Sequence, residues 1–435
     1  MKRKTLIIIM SVILVIAVGL IIAYTYPSVK PATVKRCSKP ALIYVYDTDE
    51  QKKSAQNVIS FFKKVMLLNG ISLENYTICY VSKNDLGYQL RLYPIIVFKG
   101  GIDNKLKNYT SEVNGIRVLN PVVDLAMLRY IGVKPTFTIP ASAIIITAKN
   151  PLGEIKINKK MLKEALSVIS IANITEIKFV NVDELRLGIR PYILPYIVFK
   201  SDYNLSQGVA YLESIGGKYY KISDKYALRI AFNVLGVQAV DFYKDLNSIP
   251  ITASIGSKKA MVKLYIFEDV WCPYCAKFYL NGEKTILSFI NEGKLEYNIV
   301  DFIVHRDATE IHALLRCMLN KVKDENLYFK LVAKLYIDYA KNITNIPTYN
   351  KTLKLISEAV NSQTLVDDIK KCVPGMTKTI VKETESLRNN LGIEATPTII
   401  LSLPSKNYSV LIEGYIEPSK LKSLIEWLIS LAGKA

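Results

Sequence analysis

The alternation of apolar and polar positions runs through nearly the same series twice before residue 250. Tyr93-Pro94-Ile95-Ile96-Val97-Phe98-Lys99 parallels Leu194-Pro195-Tyr196-Ile197-Val198-Phe199-Lys200. Upstream of each phrase an apolar run predicts a strand, at residues 41–46 and 143–147. An amphipathic helix follows each run. Val58, Phe61, Phe62 and Val65 recur at helical spacing before Gly70, and Met161, Leu162, Ala165, Leu166 and Ile169 form the second apolar face. Second strands are expected at 76–81 and 176–180, and short ones after the proline phrases at 115–119 and 218–222. Each series closes with a helix ending in a similar phrase, Ile131-Gly132-Val133 and Leu235-Gly236-Val237. The order is strand, helix, strand, proline, two strands, helix. It predicts α/β domains over 38–134 and 140–240, with joints near Lys134-Pro135 and between Val240 and Pro250. Two generic α/β domains sharing a strand phrase by coincidence are the plainer alternative.

The third region, 251–435, has a different rhythm. An apolar run from Val262 to Phe267 predicts a strand. Helical patterns follow at 311–322, 326–340, 352–361 and 377–391, then a strand through Ile399 and Ile400, then a closing helix over 418–431. The length of 435 residues accommodates about three domains. The formal charge of +19 comes from lysines scattered over amphipathic helices and loops, without the Arg-rich run or stacking motif of a nucleic-acid binder. Nucleic acid is therefore not an expected partner.

Residues 5–24 hold twenty positions without a charge, preceded by Lys2-Arg3-Lys4. That length crosses a bilayer as a helix, and the basic flank keeps the N-terminus in the cytoplasm. A single-pass anchor over 1–25 in the cell membrane is expected, with the later domains outside. A cleaved signal peptide is the competing reading, though its apolar part is usually only about 7–15 residues. Asn-X-Ser/Thr triplets at Asn75, Asn108, Asn173, Asn204, Asn342, Asn350 and Asn407 agree with the outer placement. Outside the cytoplasm, the six cysteines read as a pairing set with fifteen possible connectivities. Local spacing favours Cys272 with Cys275, which leaves Cys37 with Cys79 and Cys317 with Cys372 within their own domains.

Cys272-Pro273-Tyr274-Cys275 sits where a predicted strand meets a helix, and Thr396-Pro397-Thr398-Ile399-Ile400 follows some 120 residues later. A helix N-terminus directs free N–H groups and a partial positive charge at the first sulfur, favouring the reactive thiolate. Pro273 suits the first helical turn. With Arg316-Cys317, Cys372, Gly392-Ile-Glu-Ala, and Gly414 in a final strand, the region resembles the DsbA-like branch of the thioredoxin superfamily. The long helical stretch between dithiol and proline is the feature of that branch, and the order of the two earlier series matches the thioredoxin core. The resemblance implies three tandem thioredoxin-like units, the last with a helical insertion. The first two should be redox-silent, because Asp47-Thr48-Asp49-Glu50 and Lys149-Asn150-Pro151-Leu152 stand where a dithiol would be.

The resemblance also implies roles. Cys272, at the exposed end of the helix, exchanges with clients, and Cys275 resolves the mixed disulfide. Tyr274 helps set the potential. Pro397 is cis and holds Thr396 extended beside Cys272. Cys317 and Cys372 clamp the insertion as a structural disulfide, with a second redox pair or free thiols as alternatives. The family's buried acid six residues before the first cysteine is replaced by Ile266; Glu268 and Asp269 lie closer, and Glu268 is not expected to substitute. His305 and His312 read as satisfied core or surface histidines. The expected function is a membrane-anchored, monomeric oxidoreductase forming disulfides in exported proteins, without cofactor or metal, re-oxidised by a quinone-linked membrane partner. The alternatives are an isomerase or reductase whose silent units hold clients, and a metal-binding or structural ectodomain. A lone Cys-X-X-Cys offers zinc only two of four ligands.

Overall fold

The computed structural model describes residue 37 and residues 40–86, 89–113, 115–184 and 187–433. The expected membrane anchor lies outside the described residues. Among those described, no helix is long and apolar enough to cross a membrane. The chain divides into two compact units: residues up to 145 with 157–180 and 197–226, and 146–156 with 181–196 and 227–435.

The first unit begins with β1 (Ala41–Tyr46), α1 (Ala55–Leu68) and β2 (Thr77–Ser82), in which β1 and β2 run parallel. Then come β3 (Leu92–Tyr93), β4 (Ile95–Lys99), β5 (Thr110–Val113), β6 (Ile116–Leu119), α2 (Pro121–Ile131) and β7 (Thr136–Phe137). The sheet order is β2-β1-β4-β6-β5, with β4 antiparallel to both β1 and β6. β1 is buried on both faces, which is why it reads as a continuous apolar run. Leu42 and Tyr44 pack with Val58, Ile59 and Phe62 of α1, while Ala41, Ile43 and Val45 pack on the opposite side with Cys37 and Leu86.

A second sheet repeats the plan. It is built from β8 (Pro140–Ile146), β9 (Asn173–Val180), β11 (Tyr196–Lys200), β12 (Leu212–Ser214) and β13 (Tyr219–Ile222); the same stretch of chain also forms α3 (Lys159–Ser170), the short β10 (Ile193–Leu194), which pairs elsewhere, and α4 (Asp224–Ile230). Its order, β12-β13-β11-β8-β9, is that of the first sheet read from the other edge. The matched Ile-Gly-Val and Leu-Gly-Val phrases are helix stops: Gly132 and Gly236 take left-handed backbone at φ 82° and 67°.

In the second unit β14 (Val240–Phe242), β15 (Ala253–Gly256), β16 (Val262–Glu268), β17 (Leu295–Asp301), β18 (Thr398–Leu403) and β19 (Tyr408–Glu413) join β10 in the order β10-β14-β19-β18-β16-β17-β15. β16 and β17 are parallel and joined by α5 (Pro273–Asn291). β18 is antiparallel to β16. Between β17 and β18 stand α6 (Thr309–Val322), α7 (Glu325–Lys341), α8 (Tyr349–Val360) and α9 (Gln363–Leu391), and α10 (Pro418–Ala432) closes the chain.

Two sequence expectations need correction. The last insertion helix begins at Gln363 rather than 377 and carries Pro374 inside it. Proline ends most helices, but buried Ile369, Val373 and Ile380 on either side, together with the Cys317–Cys372 disulfide to α6, hold this one together. Gly414 lies one residue beyond β19, at φ 86°, and its N–H donates to the Pro397 carbonyl at 2.7 Å. Short strands lie beside the joints expected near 134–135 and between 240 and 250: β7 starts at Thr136, and β14 covers Val240–Phe242. β7 pairs antiparallel with β3, and β14 pairs antiparallel with both β10 and β19. The other disulfide joins Cys37 to Cys79.

Asp241 on β14 explains the loop at Lys149-Asn150. Its fully buried carboxylate accepts from the backbone N–H groups of Lys149 (2.7 Å) and Asn150 (3.1 Å), the Asn150 side-chain amide (2.7 Å) and the Tyr408 hydroxyl. Charge-assisted bonds of this kind are costly to orphan. Asp241→Ala is expected to lower stability by about 3 kcal/mol or more in urea unfolding. A change near zero would show that these donors find other acceptors.

Candidate functional site

β16 ends at Glu268, and a tight approach of three residues leads to Cys272, the N-cap of α5. The Cys272 sulfur accepts from the Cys275 N–H at 3.4 Å and its thiol donates to the Thr396 carbonyl at 3.2 Å. Thr396 immediately precedes Pro397, and that peptide bond is cis, as are those before Pro94 and Pro195. Four of the residues named from sequence, Cys272, Cys275, Thr396 and Pro397, therefore converge on one sulfur. Tyr274 points outward and is 60% exposed, while Cys317–Cys372 belongs to the helical insertion.

One expectation fails in part. Cys272 is 3% exposed rather than open at the helix end. Its place as N-cap turns the sulfur toward the Cys275 N–H, and the Thr396 carbonyl meets it there. Access to this sulfur depends on the small margin left by the proline loop.

Both thiols are unbonded, and their surroundings push them apart. Cys272 is pulled down to about 6, chiefly by the neighbouring Cys275 thiol; burial opposes this, and the Thr396 side chain and the N–H groups of Cys275 and Tyr274 add to it. The Thr396 hydroxyl is buried without a hydrogen-bond partner while Cys272 is a thiol. Ionisation of Cys272 supplies an acceptor for it. The helix end expected from sequence thus contributes, but less than the second thiol. Cys275 is pushed well up by burial and by the charge of Cys272 and Glu268. One sulfur is a nucleophile near neutral pH and the other is held as a thiol.

Glu268 is the residue that sequence reasoning set aside. It is 1% exposed, and its Oε2 has no hydrogen-bond partner. The hydroxyls of Tyr279 and Tyr336, whose rings stack at 4.5 Å, are buried donors close to it, but neither makes a well-formed bond. Burial holds its carboxyl well above the usual range. The signal was available: Glu268 is two residues beyond Ile266 on one strand, hence on the same face, with Leu264 and Ile266 in the core that contains both cysteines. A carboxyl inside an apolar run beside a dithiol marks a built polar position.

Asp269 has a different task. Its Oδ1 accepts from the Trp271 N–H and its Oδ2 from the N–H groups of Val304 and His305, each at 2.8 Å. The Trp271 indole donates to the Pro347 carbonyl at 2.8 Å, and the Tyr339 hydroxyl to the Trp271 carbonyl at 3.3 Å. The segment before Cys272 is thereby tied to the helical insertion. Among the described residues no His/Cys/Asp/Glu group is arranged to hold a metal ion.

The parallel β16–α5–β17 and the antiparallel β18–β19, with helices inserted between them, have a thioredoxin-like arrangement. Residues 249–425 match the thioredoxin family model. Similar solved structures include Wolbachia pipientis alpha-DsbA1 (22% identity, 42% of this chain and 95% of that one, TM-score 0.36), oxidised BdbD from Bacillus subtilis (18%, 43% and 96%, 0.34) and Chlamydia trachomatis DsbA (19%, 43% and 93%, 0.35). No curated protein sequence matches the chain.

The asymmetry of the pair is directly measurable. Alkylation of the reduced protein by a small neutral reagent, followed by mass spectrometry, is expected to modify Cys272 with a midpoint near pH 6 and to leave Cys275 untouched there. A Cys272 midpoint at the ordinary thiol value would contradict the geometry described.

Proposed function

We propose that this chain is a protein thiol–disulfide oxidoreductase that forms disulfides in exported clients. The observation that carries this is the Cys272 sulfur, held low in pKa between the Cys275 N–H and Thr396 and paired with a thiol held high. In the oxidised enzyme a client thiolate attacks Cys272 Sγ, forming a mixed disulfide and releasing Cys275 as a thiolate, which takes up a proton. Glu268, buried in the same core with its carboxyl held well above the usual range, would supply it. A second client thiolate then attacks the client sulfur of the mixed disulfide and expels Cys272 as a stable thiolate. The client has lost two electrons, and the dithiol has gained them. A membrane quinone-linked partner would take them away. The Lys2-Arg3-Lys4 flank and the apolar run 5–24 support a tether that holds the enzyme outside the membrane.

Thiolate stabilisation favours the reduced form and so raises the potential, but by a bounded amount. Moving a thiol from 9.0 to about 6 contributes about 1.4 kcal/mol at pH 7, or about 30 mV for a two-electron couple. The contribution is full above pH 9 and is lost as pH falls through about 6. Known dithiols of this type span about 150 mV, so the thiolate alone does not make a strong oxidant.

We read the first two sheets as redox-silent thioredoxin-like units, on their shared strand order and matched proline phrases. The second reading, an isomerase whose silent units hold clients, meets an obstacle. The short strands before Pro94 and Pro195 are already paired, β3 with β7 and β10 with β14. Ala395 and Thr396 lie in no strand.

Replacing Cys275 with Ala in the full chain is expected to trap client proteins on Cys272 as mixed disulfides in cells. A fully abundant protein carrying no linked client would count against the proposal. Equilibration of the purified protein with glutathione at several pH values tests the thiolate separately. The potential should fall by about 60 mV per pH unit below pH 6 and about 30 mV above it.

A further inference from the structure

His312 lies in the first turn of α6, 1% exposed, in the insertion rather than the thioredoxin core. Both ring nitrogens are engaged. Nε2 accepts the backbone N–H of Val270 at 2.9 Å, and Nδ1 faces Asp301 Oδ1 at 2.7 Å. Val270 stands two residues before the reacting cysteine, and the Cys272 N–H closes the same turn onto the Asp269 carbonyl at 2.9 Å. Asp301 ends β17 and also accepts the Thr252 hydroxyl at 2.9 Å. Arg316 on α6 lies 3.7 Å from Asp301 and forms a two-pronged ion pair with Glu383 of α9.

The charged groups that face His312 are Asp301 on β17, Asp269 in the approach to Cys272, and Arg316 on its own helix. Burial works against a charge on the ring, while Asp301 and Asp269 work for one and leave the ring above the ordinary imidazole value; the hydrogen-bond geometry runs the other way. The Val270 N–H decides between them. A proton on Nε2 would set two donors face to face at 2.9 Å in a buried site. The ring therefore carries its one proton on Nδ1, given to Asp301, and offers Nε2 as an acceptor. The chain from Asp301 through His312 to Val270 fixes the backbone from which the Cys272 sulfur is aimed at the Cys275 N–H.

We propose that His312 is a positioning residue for Cys272: as a neutral Nδ1–H imidazole it anchors Val270 and so holds the attacking sulfur in line with the end of α5. This rests on Cys272 being the exchanging sulfur. The other members of the approach are held differently, Asp269 by its own carboxylate and Trp271 through its indole. His312 is the acceptor for Val270.

The experiment uses the full reduced chain and reads the ultraviolet absorbance of the Cys272 thiolate against pH, with no client present. A protein that never exchanged disulfides would still report it, so failure here is distinct from failure of the oxidoreductase reading. His312→Leu removes the acceptor and is expected to raise the midpoint by about one unit, the energy of about one hydrogen bond. At pH 6 the thiolate fraction would then fall about fivefold. His312→Gln retains an acceptor near the Nε2 position and should restore the midpoint to within a few tenths of a unit. An unchanged midpoint in His312→Leu, or equal shifts in both variants, overturns the proposal. Should His312→Leu fail to fold, nitrogen chemical shifts of the imidazole in the unaltered protein test the same point. A protonated Nδ1 with a bare Nε2 at pH 7 is expected, and a proton on Nε2 overturns it.

Discussion

The bond from the Cys275 N–H to the Cys272 sulfur, 3.4 Å long, is the constraint around which the C-terminal domain is organised. A helix start leaves N–H groups unpaired, and a cysteine at the N-cap answers them best as a thiolate. The same placement sends Cys275 inward, one turn on, where burial keeps it protonated. The two sulfurs differ chiefly through their positions along one helix, with Thr396 lowering the first and Glu268 raising the second. The Thr396 side chain completes the arrangement: its buried hydroxyl lacks an acceptor until Cys272 ionises. The thiolate is thus the better satisfied form of Cys272.

Aiming that sulfur is the work of the insertion. Asp269, Val270 and Trp271 each send a bond away from the sheet, to the loop at 304–305, to His312 and to the Pro347 carbonyl. The Cys317–Cys372 disulfide and the Arg316–Glu383 pair bind α6 to α9, so the surface receiving those bonds is rigid. The helices that lengthen the gap between dithiol and proline serve as the frame against which the approach to the dithiol is registered.

Much of this was legible in the chain. Cys272, Cys275, Thr396 and Pro397 were recognisable because each residue type has a specific backbone task at its place, and the repeated proline phrases announced two sheets of one strand order. What sequence hid has physical causes. Pro374 read as a stop because local propensity favours one, whereas tertiary packing carries α9 through it. Alternation put Glu268 on the face of Ile266, but that this face is the core holding both cysteines emerges only from the packing. His312 was anonymous because its partners, Val270 and Asp301, are 42 and 11 residues away and meet it only after β17 and α6 are placed. The exposure of Cys272 was overestimated because the covering carbonyl comes from residue 396, 124 positions on.

The three proline phrases end differently, and the difference bears on where a client can bind. In the first sheet the Gln51 side-chain amide donates to the Tyr93 carbonyl, and also to the Lys134 carbonyl and the Thr136 hydroxyl, while β7 pairs with β3. The residue before Pro94 is thereby satisfied from within the chain. Before Pro195 the short β10 is paired with β14, and Asp241 on β14 secures the loop at Lys149-Asn150. At Pro397 the preceding carbonyl meets a thiol that must leave whenever Cys272 reacts. An edge filled by a covalently attached strand is at very high effective concentration and yields poorly to a passing peptide. On this reasoning, substrate strands are left with the edge beside the reactive sulfur.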